Sequence, residues 1–179
     1  MADPGPDPQL PRRDRGSYPP QARSDRGGVT AARHIAHFNW GKLRAPVGDP
    51  RVAGFVDAVG RVNAIAERSP GFVWRHGDEM AGAVSIGWPL FARDDRVVAS
   101  FSVWERPDDL RSFVYNTVHG AFFRRREEWF EPGTRVNYAL WWIAPGHVPK
   151  MAEARDRVDR LVSDGPSETV FTFDQLGTA

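Results

Sequence analysis

The chain has no cysteine among its 179 residues. That removes disulfide frameworks, thiolate nucleophiles, iron–sulfur clusters and cysteine zinc sites. Lysine is almost missing too, with Lys42 and Lys150 alone, so arginine carries nearly all the positive charge. Neither sign of charge dominates: 24 basic and 23 acidic residues leave a formal net charge of +1. Neither nucleic acid nor an anionic membrane is therefore expected as the main partner. No apolar run approaches the roughly 20 residues that cross a bilayer, and the N-terminus has no signal-peptide core. Glycine-rich nucleotide loops, the Gly-x-Ser-x-Gly elbow and His-Glu-x-x-His are absent as well, which leaves nucleotide cofactors, serine hydrolysis and zinc proteolysis unsupported. A cytoplasmic globular domain is the expectation.

What is plentiful is tryptophan, with 7 residues, a heavy load of the flat side chains that line cavities and interfaces. The chain divides near residue 30. Residues 1–28 hold six prolines and four glycines, with five arginines balanced by four aspartates. Such a stretch buries too little surface to offset its ordering entropy, so 1–30 reads as a disordered leader and 31–179 as the domain.

From His34 to Leu43 the chain alternates as a strand, with Ala36, Phe38 and Trp40 on one face and Ile35, His37, Asn39 and Gly41 on the other. Asp49-Pro50 marks a helix start, followed by Val52, Phe55, Val59, Val62 and Ala66 at helical spacing and a stop at Ser69-Pro70-Gly71. Short strands are expected over 71–75 and weakly over 84–86. The 97–104 stretch alternates cleanly, with Ala99, Phe101 and Val103 opposite Ser100, Ser102 and Trp104. Pro107-Asp-Asp opens a second helix towards Glu131, bent near Gly120. A strand over 136–143, a helix over 151–162 ending at Gly165-Pro166, and a strand over 169–173 complete the series. The order β-α-β-β-α-β with an α-β extension is an α+β, ferredoxin-like arrangement. The sheet face bearing Ile35, Trp104 and one of Trp141 and Trp142 is too apolar for water, so a second copy is expected to cover it.

Several strings carry a family likeness: Asn39-x-x-Lys-Leu-Arg-Ala-Pro46, Ser69-Pro-Gly-Phe-Val-Trp-Arg75, Ser102-Val-Trp104, His119 with Arg124-Arg-Arg-Glu-Glu-Trp-Phe130, Trp141-Trp142, Gly146-His147 and Phe171-Thr-Phe173. Over about 32–173 the chain resembles a bacterial family of unknown function related to the antibiotic-biosynthesis monooxygenases of the dimeric α/β-barrel superfamily. The resemblance implies a homodimer and a small-molecule cavity. Its chemistry ranges over cofactor-free oxygenases, cyclases of secondary metabolism and haem enzymes, so fold analogy alone supplies no mechanism.

The second helix carries two stripes. Leu110, Val114, Thr117 and Ala121 form one, while Tyr115, His119, Phe122, Arg126 and Phe130 form the other, mixing aromatic bulk with a titratable imidazole. His119 reads as a general base, as an axial haem ligand, or as a packing histidine at a helix bend. Asn39 and His37 share a strand face expected to look into the barrel, where the amide suits a substrate carbonyl or dioxygen and the imidazole suits proton exchange. The bland readings are a sheet-edge amide and a rim histidine. Ser100, Ser102 and Trp104 line the same face; one of Trp141 and Trp142 looks into the cavity beside it, pattern alone leaves open which, and Trp141 is taken as the candidate. Arg124, Arg125 and Arg126 fan around the helix, leaving Arg126 as the one pocket candidate.

Three functions follow. The first is cofactor-free oxygenation, cyclisation or rearrangement of an aromatic or polyketide-like molecule, with His119 and Asn39 catalytic. The second is haem chemistry on His119, for which the haem-degrading pattern's helix tryptophan is replaced by Phe113. The third is a non-catalytic binding or structural dimer.

Overall fold

The structure, a computed structural model, describes residues 32–77, 94–116, 124–133 and 137–176. Strand β1 (His34–Lys42) leads through a 3-10 turn (Pro50–Val52) into helix α1 (Ala53–Ala66). Strands β2 (Phe72–Arg75) and β3 (Val97–Trp104) follow, then helix α2 (Pro107–Asn116), a one-turn helix α3 (Arg126–Trp129), strand β4 (Tyr138–Ile143) and helix α4 (Met151–Asp164). The sheet order is β2-β3-β1-β4 with every pair antiparallel. This is the expected ferredoxin-like α+β fold. The expected leader, the weak strand over 84–86 and the bend near Gly120 lie outside the described residues.

The punctuation read from the sequence has the physical roles assigned to it. Asp49 caps the turn before α1, its carboxylate accepting from the Arg51 amide at 2.9 Å. After α1 the Ser69 hydroxyl donates to the Ile65 carbonyl at 2.9 Å, and Gly71 adopts φ 72°. A Cβ at Gly71 would run into the Asp109 carboxylate on α2, so glycine is required there for space as well as for φ.

The two sheet faces are covered differently from expectation. Ala36, Phe38, Phe101, Val103, Ala139 and Trp141 pack against Ala154, Val158 and Leu161 of α4. Ile35, Trp104 and Leu140 on the opposite face pack against Ala66 of α1 and Leu110, Phe113 and Val114 of α2. The Ile35–Trp104 end of that face is thus buried by the chain's own helices, so Ile35 and Trp104 do not require a second copy to cover them. Alternation alone cannot tell which face meets which helix pair, because both are apolar enough to be buried.

At the C-terminus the expected strand contracts to a single bridge, Leu140 to Phe171. The next residues leave the sheet for a 3-10 turn, with the Phe173 amide donating to the Tyr138 hydroxyl at 3.1 Å and Gln175 accepting from the Thr172 amide at 2.8 Å. Side-chain partners thus replace the ladder, a known competition for short polar stretches.

Candidate functional site

A cavity of about 870 Å³ is lined by the His37–Asn39 side of the sheet and by α1, and it reaches Trp40, Phe101 and Met151 on the other side. Its floor follows the antiparallel register of β1 and β3: Ile35 opposite Trp104, His37 opposite Ser102, Asn39 opposite Ser100, and Gly41 opposite Val98. Residues two apart on a strand share a face, so these rows line up along one side of the sheet. Val62 and Ala66 roof the Trp104 end, while Phe55 reaches the Gly41 end. This explains a mismatch along α1. Phe55, Val59 and Val62, expected in the core, are only half-buried where they line the cavity, although Phe55 and Val62 also pack against neighbouring core side chains.

The polar groups of the floor are arranged in short chains. The buried Trp104 indole stacks on Phe113 at 5.1 Å and donates from Nε1 to the Ser102 hydroxyl at 3.0 Å. That hydroxyl lies 3.5 Å from Nδ1 of His37, which is itself 8% exposed. One step along, the Ser100 hydroxyl donates to Oδ1 of Asn39. With its oxygen engaged, Asn39 keeps the two N–H bonds of Nδ2 for a ligand acceptor. The Trp104–Ser102 bond lies among buried side chains and is worth more there than in water, whereas Ser100 and its bond to Asn39 are exposed.

The rim is charged but compensated. Lys42 meets Asp94 at 2.7 Å, and Arg96 meets Glu131 at 2.6 Å and Asp94 at 3.2 Å. The Lys42 ammonium, helped by Arg96, holds the Asp94 carboxyl down to about 2, against burial acting the other way. Arg75 is paired with Glu67 at 2.7 Å, and Arg44 donates to the Glu127 carbonyl at 3.0 Å. Burial raises the Tyr138 phenol above its ordinary value and keeps it neutral beside the floor. Among the described residues no group of three or more His, Asp or Glu could hold a metal ion. No helix among them is long and apolar enough to cross a membrane.

The sequence-derived candidates separate by place. His37, Asn39, Ser100, Ser102 and Trp104 are brought together on the cavity floor, and Arg126 stands exposed at its rim. His119 and Phe122 lie outside the described residues. Tyr115 is 49% exposed and sits beside Phe173 at 6.2 Å, away from the described cavity wall. The cavity position expected for Trp141 is corrected. It points to the α4 side, donating from Nε1 to Glu153 at 2.8 Å, while Trp142 turns to the other face against Phe171. Arg125 pairs with Glu128 at 2.8 Å, consistent with a solvated helix end.

Sequence reasoning placed Phe130 in the second stripe and Phe55 among the apolar positions of α1, but did not bring them together with Trp129 as the far wall. Phe55, Trp129 and Phe130 form an aromatic cluster there, with Phe55 and Phe130 edge-to-face at 4.9 Å. Gly41, a glycine inside an otherwise alternating strand, was the available signal for a close approach.

The sheet order and the helices packed on it define a ferredoxin-like α+β fold. The family model described as "Domain of unknown function (DUF3291)" matches residues 34–179, and the chain belongs to that family. No curated protein matches. Among solved structures it is similar to NE2512 of Nitrosomonas europaea, a protein of unknown function, with 9% identity, TM-score 0.45, and coverage of 66% of this chain and 97% of that one. It is similar to SnoaB of Streptomyces nogalater, a cofactor-independent oxygenase, with 16% identity, TM-score 0.41 and coverage of 66% and 100%. The monooxygenase ActVA-Orf6 of Streptomyces coelicolor, solved with nanaomycin D, shares 15% identity at TM-score 0.35 over 66% and 92%.

Proposed function

We propose that this protein is an enzyme that takes a small, largely apolar molecule bearing a carbonyl or phenol, aromatic or polyketide-like, into the cavity and oxygenates, cyclises or rearranges it without a cofactor. The observation that carries this reading is a row of polar groups set into apolar walls, with the Asn39 amide oxygen already engaged by Ser100. Such a row orients one oxygen-bearing edge of a flat ligand, and the bound ligand would itself displace water from Ser100 and Asn39. Asn39 donates to the ligand oxygen where negative charge grows as a neighbouring proton leaves. His119 is assigned the proton transfer, and His37 is a buried imidazole on the same floor as Asn39. In the oxygenation form of the reaction, the deprotonated substrate supplies the electrons that reduce dioxygen. Self-association remains part of the proposal, with the contact moved off the Ile35–Trp104 end of the sheet.

The test is oxygen uptake on an aromatic hydroquinone together with a hemin titration. Uptake lost in Asn39→Ala and His119→Ala, with the fold intact by circular dichroism, supports the reading. A stoichiometric Soret band that disappears in His119→Ala replaces it with haem chemistry. No uptake, no product and no ligand binding would leave a structural protein.

A further inference from the structure

We infer that Phe130 is the end stop that sets how long a ligand the cavity accepts, and that Gly41 is glycine because the Phe130 ring lies across it. The inference rests on the reading of the cavity as a ligand site. Gly41 is the next floor position after Asn39, and a Cβ built on it would stand 2.6 Å from Cδ1 and 2.7 Å from Cε1 of Phe130. No side chain other than hydrogen fits there without moving the ring. The ring is fixed from both sides. The Phe130 backbone bridges to Leu43, and the next amide, of Glu131, donates to the Lys42 carbonyl at 2.8 Å. Phe55 then meets the ring edge-to-face at 4.9 Å from α1.

The register converts this wall into a length. Strand residues advance about 3.3 Å each, so the Gly41 row lies roughly 7 Å past Asn39 and about 20 Å from the Ile35–Trp104 row. A flat ligand anchored on the Asn39 amide has about one fused ring of room in the Gly41 direction before it meets Phe130. Ligand class follows from the same geometry. Aromatic rings stand at both ends, Trp104 with Phe113 and Phe55 with Phe130, and the hydrogen-bonding groups lie between them along the floor. A linear fused aromatic with its oxygen in the middle of the molecule fits that order.

The experiment uses the full chain and linear fused quinones of increasing length (naphthoquinone, anthraquinone, tetracenequinone), with binding read by quenching of tryptophan fluorescence. The wild type is expected to show a sharp loss of affinity at one step of the series. Phe130→Ala should move that step one ring longer, gaining 10-fold or more for the first excluded quinone and little for the shorter ones. Phe130→Leu should give a smaller gain of the same pattern, which keeps the test usable if the alanine variant is poorly folded. Adding Gly41→Ala to Phe130→Ala should take part of the gain back, because the new methyl enters the vacated space. Affinities that change by the same factor along the whole series in both Phe130 variants overturn the ruler while leaving the cavity reading standing. A wild type that binds none of the quinones overturns both.

Discussion

The two faces of the sheet are made of the same strands and do different work. On the α4 side, Ala36, Phe38, Phe101, Val103 and Trp141 are all nearly inaccessible and close on Ala154, Val158 and Leu161. On the other side, the core seals only the end around Ile35, Trp104 and Phe113, and the floor then continues as His37, Ser102, Asn39 and Ser100 under open space. One face spends its side chains on packing. The other gives up part of that packing, and the polar groups it carries are satisfied among themselves in short chains. Alternation of strand residues is what lets a single sheet hold both.

Substitutions that separate the faces should show effects of different kinds. The largest is expected from Phe38→Ala on the closed face: about 3–5 kcal/mol of unfolding free energy, since the ring is fully buried in the core on the α4 side. Chemical denaturation measures this, and quinone affinity of the folded fraction should stay within about twofold. A loss of affinity as large as the loss of stability would mean the faces are not independent. Ser102→Ala on the open face should cost about 1–3 kcal/mol, because the buried Trp104 indole N–H loses its acceptor. A neutral result would show that water can enter and replace the hydroxyl.

Asn39→Ala should do the reverse of Phe38→Ala. Stability should change by less than about 1 kcal/mol, since Asn39 is only half-buried, while quinone affinity falls roughly 10-fold with the lost donor. The smallest effect concerns acid. The Asp94 carboxyl titrates near 2 in the fold against an ordinary 3.8. Its pairing with Lys42 and Arg96 therefore stabilises above about pH 4 and is lost as pH falls through 2. Asp94→Asn should be less stable by about 1 kcal/mol at neutral pH, after solvent screening of this rim pair, and should converge with the wild type near pH 2. Melting curves between pH 2 and 7 check it, and a constant difference across that range would refute the pairing.

Much of this was legible before any coordinates. The β1 and β3 periodicities, the Asp49 cap, the Gly71 stop and the apolar spacing of α4 each depend on neighbours in sequence, so local chemistry sufficed. The trio Asn39, Ser100 and Ser102 was legible because strand alternation places them on one face of their strands. The destination of Trp141 and Trp142 was not legible: adjacent strand residues point opposite ways, and both faces of β4 are apolar. The short C-terminal bridge was also hidden, since Tyr138 and Gln175 supply partners only after the chain has folded back.

By itself the sequence determined the α+β order, the absence of thiol chemistry, and which strand residues travel together. These follow from side-chain period, composition and turn chemistry. Only the tertiary structure decided that α1 and α2 cover the Ile35–Trp104 end of one face and α4 the Phe38 face. It likewise decided that Phe130 lies on Gly41, some ninety residues away in the chain. The physical reason is the same in each case: burial rewards any apolar face that finds a partner, and which partner arrives is set by topology and close packing, not by local pattern.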